Sequence, residues 1–243
     1  VFFSTAFDCG SVDFLESVGV PVHKIASFEI TYLDLLRKVA ATGKPVLLST
    51  GASTLDEVRE AVEILARAGS GPVALLHCGS CYPLALEAAN LRAMVTLEKE
   101  FGCPVGYSDH TPGCEAALAS VALGASIIEK HFTTDQSLPG PDHVVSMEPA
   151  EFGLMVDSIR RVEAALGSSE KKPVPAEDGA RREGRRSLHA ARVIAAGTVI
   201  TEDDILIVRP ASGIPPRDKT MIIGLRTRSD IVSGQPLTWD LFK

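Results

Sequence analysis

The sequence predicts an α/β fold: a (β/α)8 TIM-type barrel lacking about its first two strands, followed by a small second domain. Three observations carry this. A short run rich in β-branched residues or leucine, closed by small polar residues, is followed by an amphipathic segment, and the alternation occurs six times. The runs are nearly continuous in apolar character, as in strands buried on both faces of a parallel sheet. Polar residues gather where each run ends, the edge at which α/β barrels and open sheets place their chemistry.

The predicted strands are residues 1–5, 22–27, 45–50, 73–78, 105–110 and 126–132. Between the second and third, Leu33, Leu36, Val39 and Ala40 form a helical face that Gly43 ends. After Ser49-Thr50-Gly51, Thr54-Leu55-Asp56-Glu57 is a capping box. Val58, Ala61, Val62 and Leu65 follow at i, i+3, i+4 and i+7, and Gly69 supplies the stop. Residues 152–166 make the last such helix, with Met155, Ile159, Val162 and Leu166 on one side. Six strands do not close a barrel that takes about 250 residues. The first residue is Val rather than Met, and two absent N-terminal strands, with their helices, would account for the shortfall. The predicted division is a partial barrel over 1–166, an extended linker over 167–185 and a small, mostly β or irregular domain over 186–243. The linker rests on Ser-Ser, Lys-Lys, two prolines and mixed charge without apolar periodicity.

The 243 residues are 45% hydrophobic and 23% charged, ordinary for a globular chain with room for more than one domain. A formal charge of −7 argues against nucleic acid and against an anionic membrane surface as partners. No apolar stretch reaches the ~18 residues of a membrane span, and no secretory leader pattern is present. Five cysteines, an odd number, fit reduced thiols and a cytoplasmic protein better than a disulfide framework.

Two histidines stand at the ends of strand-type runs: His110 closes Gly106-Tyr107-Ser108-Asp109, and His131 closes Ile128-Glu129-Lys130. Neutral imidazole is a common ligand for divalent transition metals, and the tips of successive barrel strands face one cavity. The alternative is that each is a satisfied strand-end histidine. Hydroxyls recur at the strand tips as Thr5, Ser27, Ser49, Ser80 and Ser108. With Lys24 they compose an anion pocket, while singly each reads as the cap of a following helix. Glu29 and Asp142 are placed to hydrogen-bond a polyol or move a proton, or simply to be solvated in loops. Cys78-Gly79-Ser80-Cys81 lacks the second pair of a zinc site and the setting of a redox motif. His77 and Cys78 read as strand-end packing, and His143 and His189 lack a local constellation.

These segments, in order, resemble the sialic acid synthase family, which includes the N-acetylneuraminate, pseudaminate and legionaminate synthases. The resemblance is carried by Lys24-Ile25-Ala26-Ser27-Phe28-Glu29, Leu48-Ser49-Thr50-Gly51, Leu76-His77-Cys78-Gly79-Ser80-Cys81-Tyr82-Pro83, Gly106-Tyr107-Ser108-Asp109-His110-Thr111, Glu129-Lys130-His131-Phe132-Thr133 and Gly140-Pro141-Asp142-His143. The stretch from Arg186-Ser187-Leu188 through Val208-Arg209-Pro210 to Ile223-Gly224 resembles that family's SAF, or antifreeze-like, domain.

The resemblance implies condensation of phosphoenolpyruvate with an N-acylated hexosamine such as N-acetylmannosamine, giving a nine-carbon 2-keto acid and phosphate. It implies Mn2+, or another divalent ion such as Mg2+ or Co2+, on His110 and His131. Phosphoenolpyruvate would be held by Thr5, Lys24, Ser27, Ser49, Ser80, Tyr82 and Ser108, with Ser80 standing where some members have Asn. The sugar would meet Glu29, Asp142 and, from a domain-swapped partner subunit, Arg209. Phe28 leans towards the pseudaminate type, and Glu183 departs from an aromatic residue found in some members. The family's first two strands bring an acid to the metal and a lysine to the phosphate, and this chain has neither strand. The competing class is an inactive fragment or a sugar- or phosphate-binding protein. A synthase acting on an unmodified aldose would leave Arg209 without an N-acyl group to meet.

Overall fold

Five parallel strands, paired in chain order, make one curled sheet, a half-barrel. They are β1 (His23–Ile25), β2 (Val46–Ser49), β3 (Val73–Cys78), β4 (Val105–Asp109) and β5 (Ile128–Lys130). Helices intervene: α1 (Cys9–Val18) before β1, α2 (Leu33–Ala40), α3 (Leu55–Arg67), α4 (Ala93–Phe101) and α5 (Glu115–Ala122) between strands, and α6 (Pro149–Leu166) after β5. The computed structural model describes residues 1–243, which divide into the units Val1–Gly167 and Ser168–Lys243.

Local sequence explains most element ends. Asp8 caps α1 by accepting from Ser11 N at 2.8 Å, and Gly19 ends it in the left-handed region. The capping box of α3 forms, with Glu57 N donating to Thr54 Oγ1 and Thr54 N donating to Glu57 Oε2. Val58, Ala61 and Leu65 of its apolar stripe are buried. The main core joins Ile25, Leu48, Leu75 and Tyr107 of the strands to Leu35, Leu36, Val58 and Leu65 of α2 and α3. A smaller cluster joins Ala117 and Val121 of α5 to Met155 and Ile159 of α6. Burying such side chains is the main stabilising term, roughly 1.5–3 kcal/mol each.

Two expectations need correction. Residues 1–5 are not a full strand: only Thr5 pairs, in a single parallel bridge to Lys24, and Val1 and Phe2 are exposed. The run has β1 on one side and no strand on the other, so most of its backbone groups have no ladder to join. Residues 167–185 are not extended throughout. A 3-10 turn (Pro175–Glu177) leads into the helix α7 (Asp178–Gly184). Its side chains are exposed, so no apolar stripe announced it.

In the C-terminal unit β6 (Ser187–Ala190) pairs antiparallel with β7 (Ile205–Val208). Isolated bridges such as Ile194 with Ile231 and Val199 with Arg226 tie the loops together, and a short helix, α8 (Lys219–Ile222), closes one turn. Leu188, Ile200, Ile214, Ile222, Ile231 and Leu237 form a core separate from that of the half-barrel.

Candidate active site

The site is built at the C-terminal ends of the parallel strands. Lys24 on β1 is buried, and its Nζ donates to Ser49 Oγ at 2.6 Å and to the Ile25 carbonyl at 3.2 Å. The nearest carboxylate is Glu129 on β5, at 3.9 Å. A buried ammonium held by neutral oxygens and one distant acid is under-compensated. Burial accordingly pushes its pKa below the ordinary lysine value, with Glu129 the main opposing influence. A bound anion would supply the missing charge.

Ser27, in the turn after β1, accepts from Gly51 N at 3.0 Å and meets Cys78 Sγ at 3.2 Å. Gly51 is where three side chains converge. A Cβ there would lie 2.9 Å from Ser27 Oγ and 2.8 Å from Cys78 Sγ, and closer still to Ser80 Oγ. The backbone can pass only because that position has no side chain. Thr5 is half-buried beside its bridge partner Lys24.

Strand alternation organises the other half of the site. Ser108 and His110 share one side of β4, and Glu129 and His131 share that side of β5. Ser108 is in register with Glu129 and donates to its Oε1 at 2.6 Å. On the opposite side Asp109 and Lys130 form an ion pair at 2.9 Å, their side chains 0% and 1% exposed. Asp109 also accepts from Thr111 N and Oγ1, and Lys130 donates to the Thr111 carbonyl. This buried lock fixes the two strand tips, and the His110 and His131 rings stand 5.3 Å apart, centre to centre.

His110 Nδ1 lies 2.7 Å from the Gly79 carbonyl, which can only accept, so Nδ1 carries the proton and the Nε2 lone pair is free. Burial lowers the His110 pKa, the neighbouring His131 adds to that, and the Gly79 bond opposes it. A neutral ring with a free nitrogen is what a divalent ion requires. The pair therefore fits such an ion as two ligands. No set of three His, Cys, Asp or Glu side chains is assembled around it. The Tyr82 ring packs against both histidine rings, tilted 4.3 Å from His110 and edge-on 5.6 Å from His131, centre to centre. Burial first, then Cys78 and Asp142, raise its phenol pKa, so it stays an O–H donor.

The Glu29 Oε2 is buried without a hydrogen-bond partner, an acceptor that calls for a donor. Asp142 is exposed at the start of a 3-10 turn (His143–Val145). Arg209 lies in the C-terminal unit, exposed, directly after β7. Contacts thus gather Lys24, Ser27, Ser49, Ser80, Tyr82, Ser108, His110 and His131. Sequence reasoning missed Glu129 and Gly51 and read Cys78 as packing only. The signal for Glu129 was its place two residues before His131, on the same strand side.

Residues 1–171 match the NeuB family model and residues 185–243 the SAF domain model. An N,N'-diacetyllegionaminic acid synthase of Legionella pneumophila is 44% identical over 98% of this chain and 68% of its own length. A pseudaminic acid synthase of Helicobacter pylori is 39% identical over 98% of this chain and 70% of its own. The N-acetylneuraminic acid synthetase of Leptospira borgpetersenii, crystallised with citrate, superposes with a TM-score of 0.70 at 40% identity. That alignment covers 74% of this chain and 63% of the Leptospira chain. The chain belongs to the NeuB family, the sialic acid synthases, and ends in a SAF domain.

Proposed function

We propose that this protein is a nonulosonic acid synthase that joins phosphoenolpyruvate to an N-acylated hexosamine and releases phosphate. One observation carries the reading. The paired rings of His110 and His131 stand on the same strand faces as Ser108 and Glu129, and Glu129 reaches back to the under-compensated Lys24. A site for an aldehyde oxygen and a site for a phosphoryl or carboxylate anion are thereby adjacent.

In this reading Lys24, Ser49, Ser27 and Ser108, with Thr5, Ser80 and Tyr82, hold the phosphate and carboxylate of phosphoenolpyruvate. Lys24 neutralises charge and the hydroxyls donate. His110 and His131 hold a divalent ion, Mn2+ by preference, which when bound would polarise the open-chain aldehyde of the sugar. The C3 carbon of phosphoenolpyruvate then forms the new bond to the aldehyde carbon. The aldehyde oxygen takes up a proton to become a hydroxyl, water adds at C2, and phosphate departs with the second of that water's protons to leave the 2-keto acid. Glu129 is close enough to Ser108 and Lys24 to accept a proton from that water. Glu29 and Asp142 bind sugar hydroxyls. Arg209 meets the N-acyl group, supplied across a domain-swapped homodimer in the cytoplasm.

A di-N-acetyl hexose is the second candidate acceptor, favoured by the 44% identity to the legionaminic acid synthase. The test uses the protein expressed from its native reading frame. With Mn2+, phosphate should appear only when phosphoenolpyruvate is combined with N-acetylmannosamine or a di-N-acetyl hexose, and not with arabinose 5-phosphate. Undiminished phosphate release by a His110→Ala, His131→Ala double variant would overturn the assigned metal ligands. Phosphate release without any sugar would overturn the condensation.

A further inference from the structure

A basic cleft lies within the C-terminal unit, between α7 and the loop that follows Arg209. It has a volume of about 640 Å³ and is lined by Arg181, Arg182, Arg185, Arg186 and Arg217, with Asp178 as its one acid. Arg182 is paired with Glu183 at 3.1 Å and Arg217 approaches Asp218 at 3.8 Å. Arg181, Arg185 and Arg186 have no carboxylate within ion-pair distance. Three unneutralised guanidiniums in one concavity repel one another, and nothing in the cleft beyond Asp178 offsets them.

The walls are fixed rather than loose. The Arg182 carbonyl accepts from Ala211 N at 2.9 Å, which ties α7 to the loop after β7. Ser187 Oγ donates to the Pro210 carbonyl at 2.7 Å and accepts from Ser212 N at 3.2 Å, pinning the same loop to the start of β6. Arg181 on α7 and Arg185, the extended residue that ends it, line the cleft together with Pro215 and Pro216. The lining thus combines planar bidentate donors with two rigid apolar prolines.

We propose that this cleft binds a small molecule bearing a pyrophosphate group. Guanidinium forks match phosphoryl oxygens bidentately, and the surplus of positive charge calls for an anion of two charges or more. A monocarboxylate would leave it under-neutralised. The volume exceeds what a single phosphate fills, and Pro215 and Pro216 offer apolar surface to the uncharged remainder of such a ligand.

Titration calorimetry of the intact chain with inorganic pyrophosphate tests this. Saturable binding at one site per chain is expected, weakening as salt rises. Arg181→Ala with Arg185→Ala should weaken it at least tenfold. Arg160→Ala, an exposed arginine of α6 paired with Glu163, should leave it unchanged. Circular dichroism checks that each variant is folded. The double variant should keep the wild-type KM for phosphoenolpyruvate. Three outcomes would overturn the proposal: no saturable binding at physiological salt, equal loss in Arg160→Ala, or dissociation of an oligomer by the double variant. The last would mean that an acidic face of a second copy fills the cleft.

Discussion

At the scale of single residues, Gly51 is the tightest constraint in the site. Its Cα passes between Ser27, Cys78 and Ser80, so Gly51→Ala must displace at least one of those side chains. The expected result is a folded protein whose KM for phosphoenolpyruvate rises tenfold or more, read by steady-state phosphate release. An unchanged KM would show that these side chains do not hold that substrate. His77 makes a separate prediction about pH. Burial holds its pKa below the ordinary histidine value, opposed by the Ala89 carbonyl at 2.9 Å. The folded state therefore binds fewer protons here than the unfolded chain does. The stability gained from the neutral ring is present above about pH 6.5 and is lost as pH falls through the lowered folded value. Thermal unfolding at pH 7.5 and 5.5 should show a smaller acid-side loss in Tm for His77→Gln than for the parent.

At the scale of elements, the strand tips depend on the buried pair behind them. Lys130→Met would leave the Asp109 carboxyl, at 0% side-chain exposure, without its ion-pair partner, at a cost of about 3–5 kcal/mol. Replacing both, Asp109→Leu with Lys130→Met, should cost less than the sum of the single changes. Urea unfolding of the four proteins measures the coupling, and simple additivity would show that the pair does not act as a unit. The α3 capping box is a smaller matter: Thr54→Ala should cost about 1 kcal/mol in the same assay. Both elements differ in how readable they were. The capping box is a pattern within four residues, Thr54 to Glu57, and the sequence displays it whole. The Asp109–Lys130 lock and the Ser108–Glu129 bond join residues 21 apart, and only strand register makes them neighbours. Register is a tertiary fact, so the histidines were legible as strand-end residues while the acid beside them was not. The same limit explains residues 1–5, whose apolar pattern reads as a strand although strand pairing depends on neighbours. It explains α7 as well, a polar helix without a stripe.

At the scale of the whole chain, composition conceals a division. The chain as a whole carries a charge of −7, yet the C-terminal unit has more Lys and Arg than Asp and Glu. The two units have separate cores, one around Leu48, Leu75 and Tyr107 and one around Leu188, Ile222 and Ile231. Between them, residues 167–174 are exposed and belong to neither helix nor strand. Backbone that is exposed and outside the ladders is where proteases cut first. Brief digestion with trypsin should therefore cleave first after Lys171 or at the exposed arginines of α7. Two fragments should persist, one ending and one beginning near that segment, identified by intact mass. Each should keep a cooperative thermal transition, because each retains the apolar cluster that holds it together. First cleavage within the helices of the half-barrel, or a C-terminal fragment that melts without a transition, would refute the independence of the two cores.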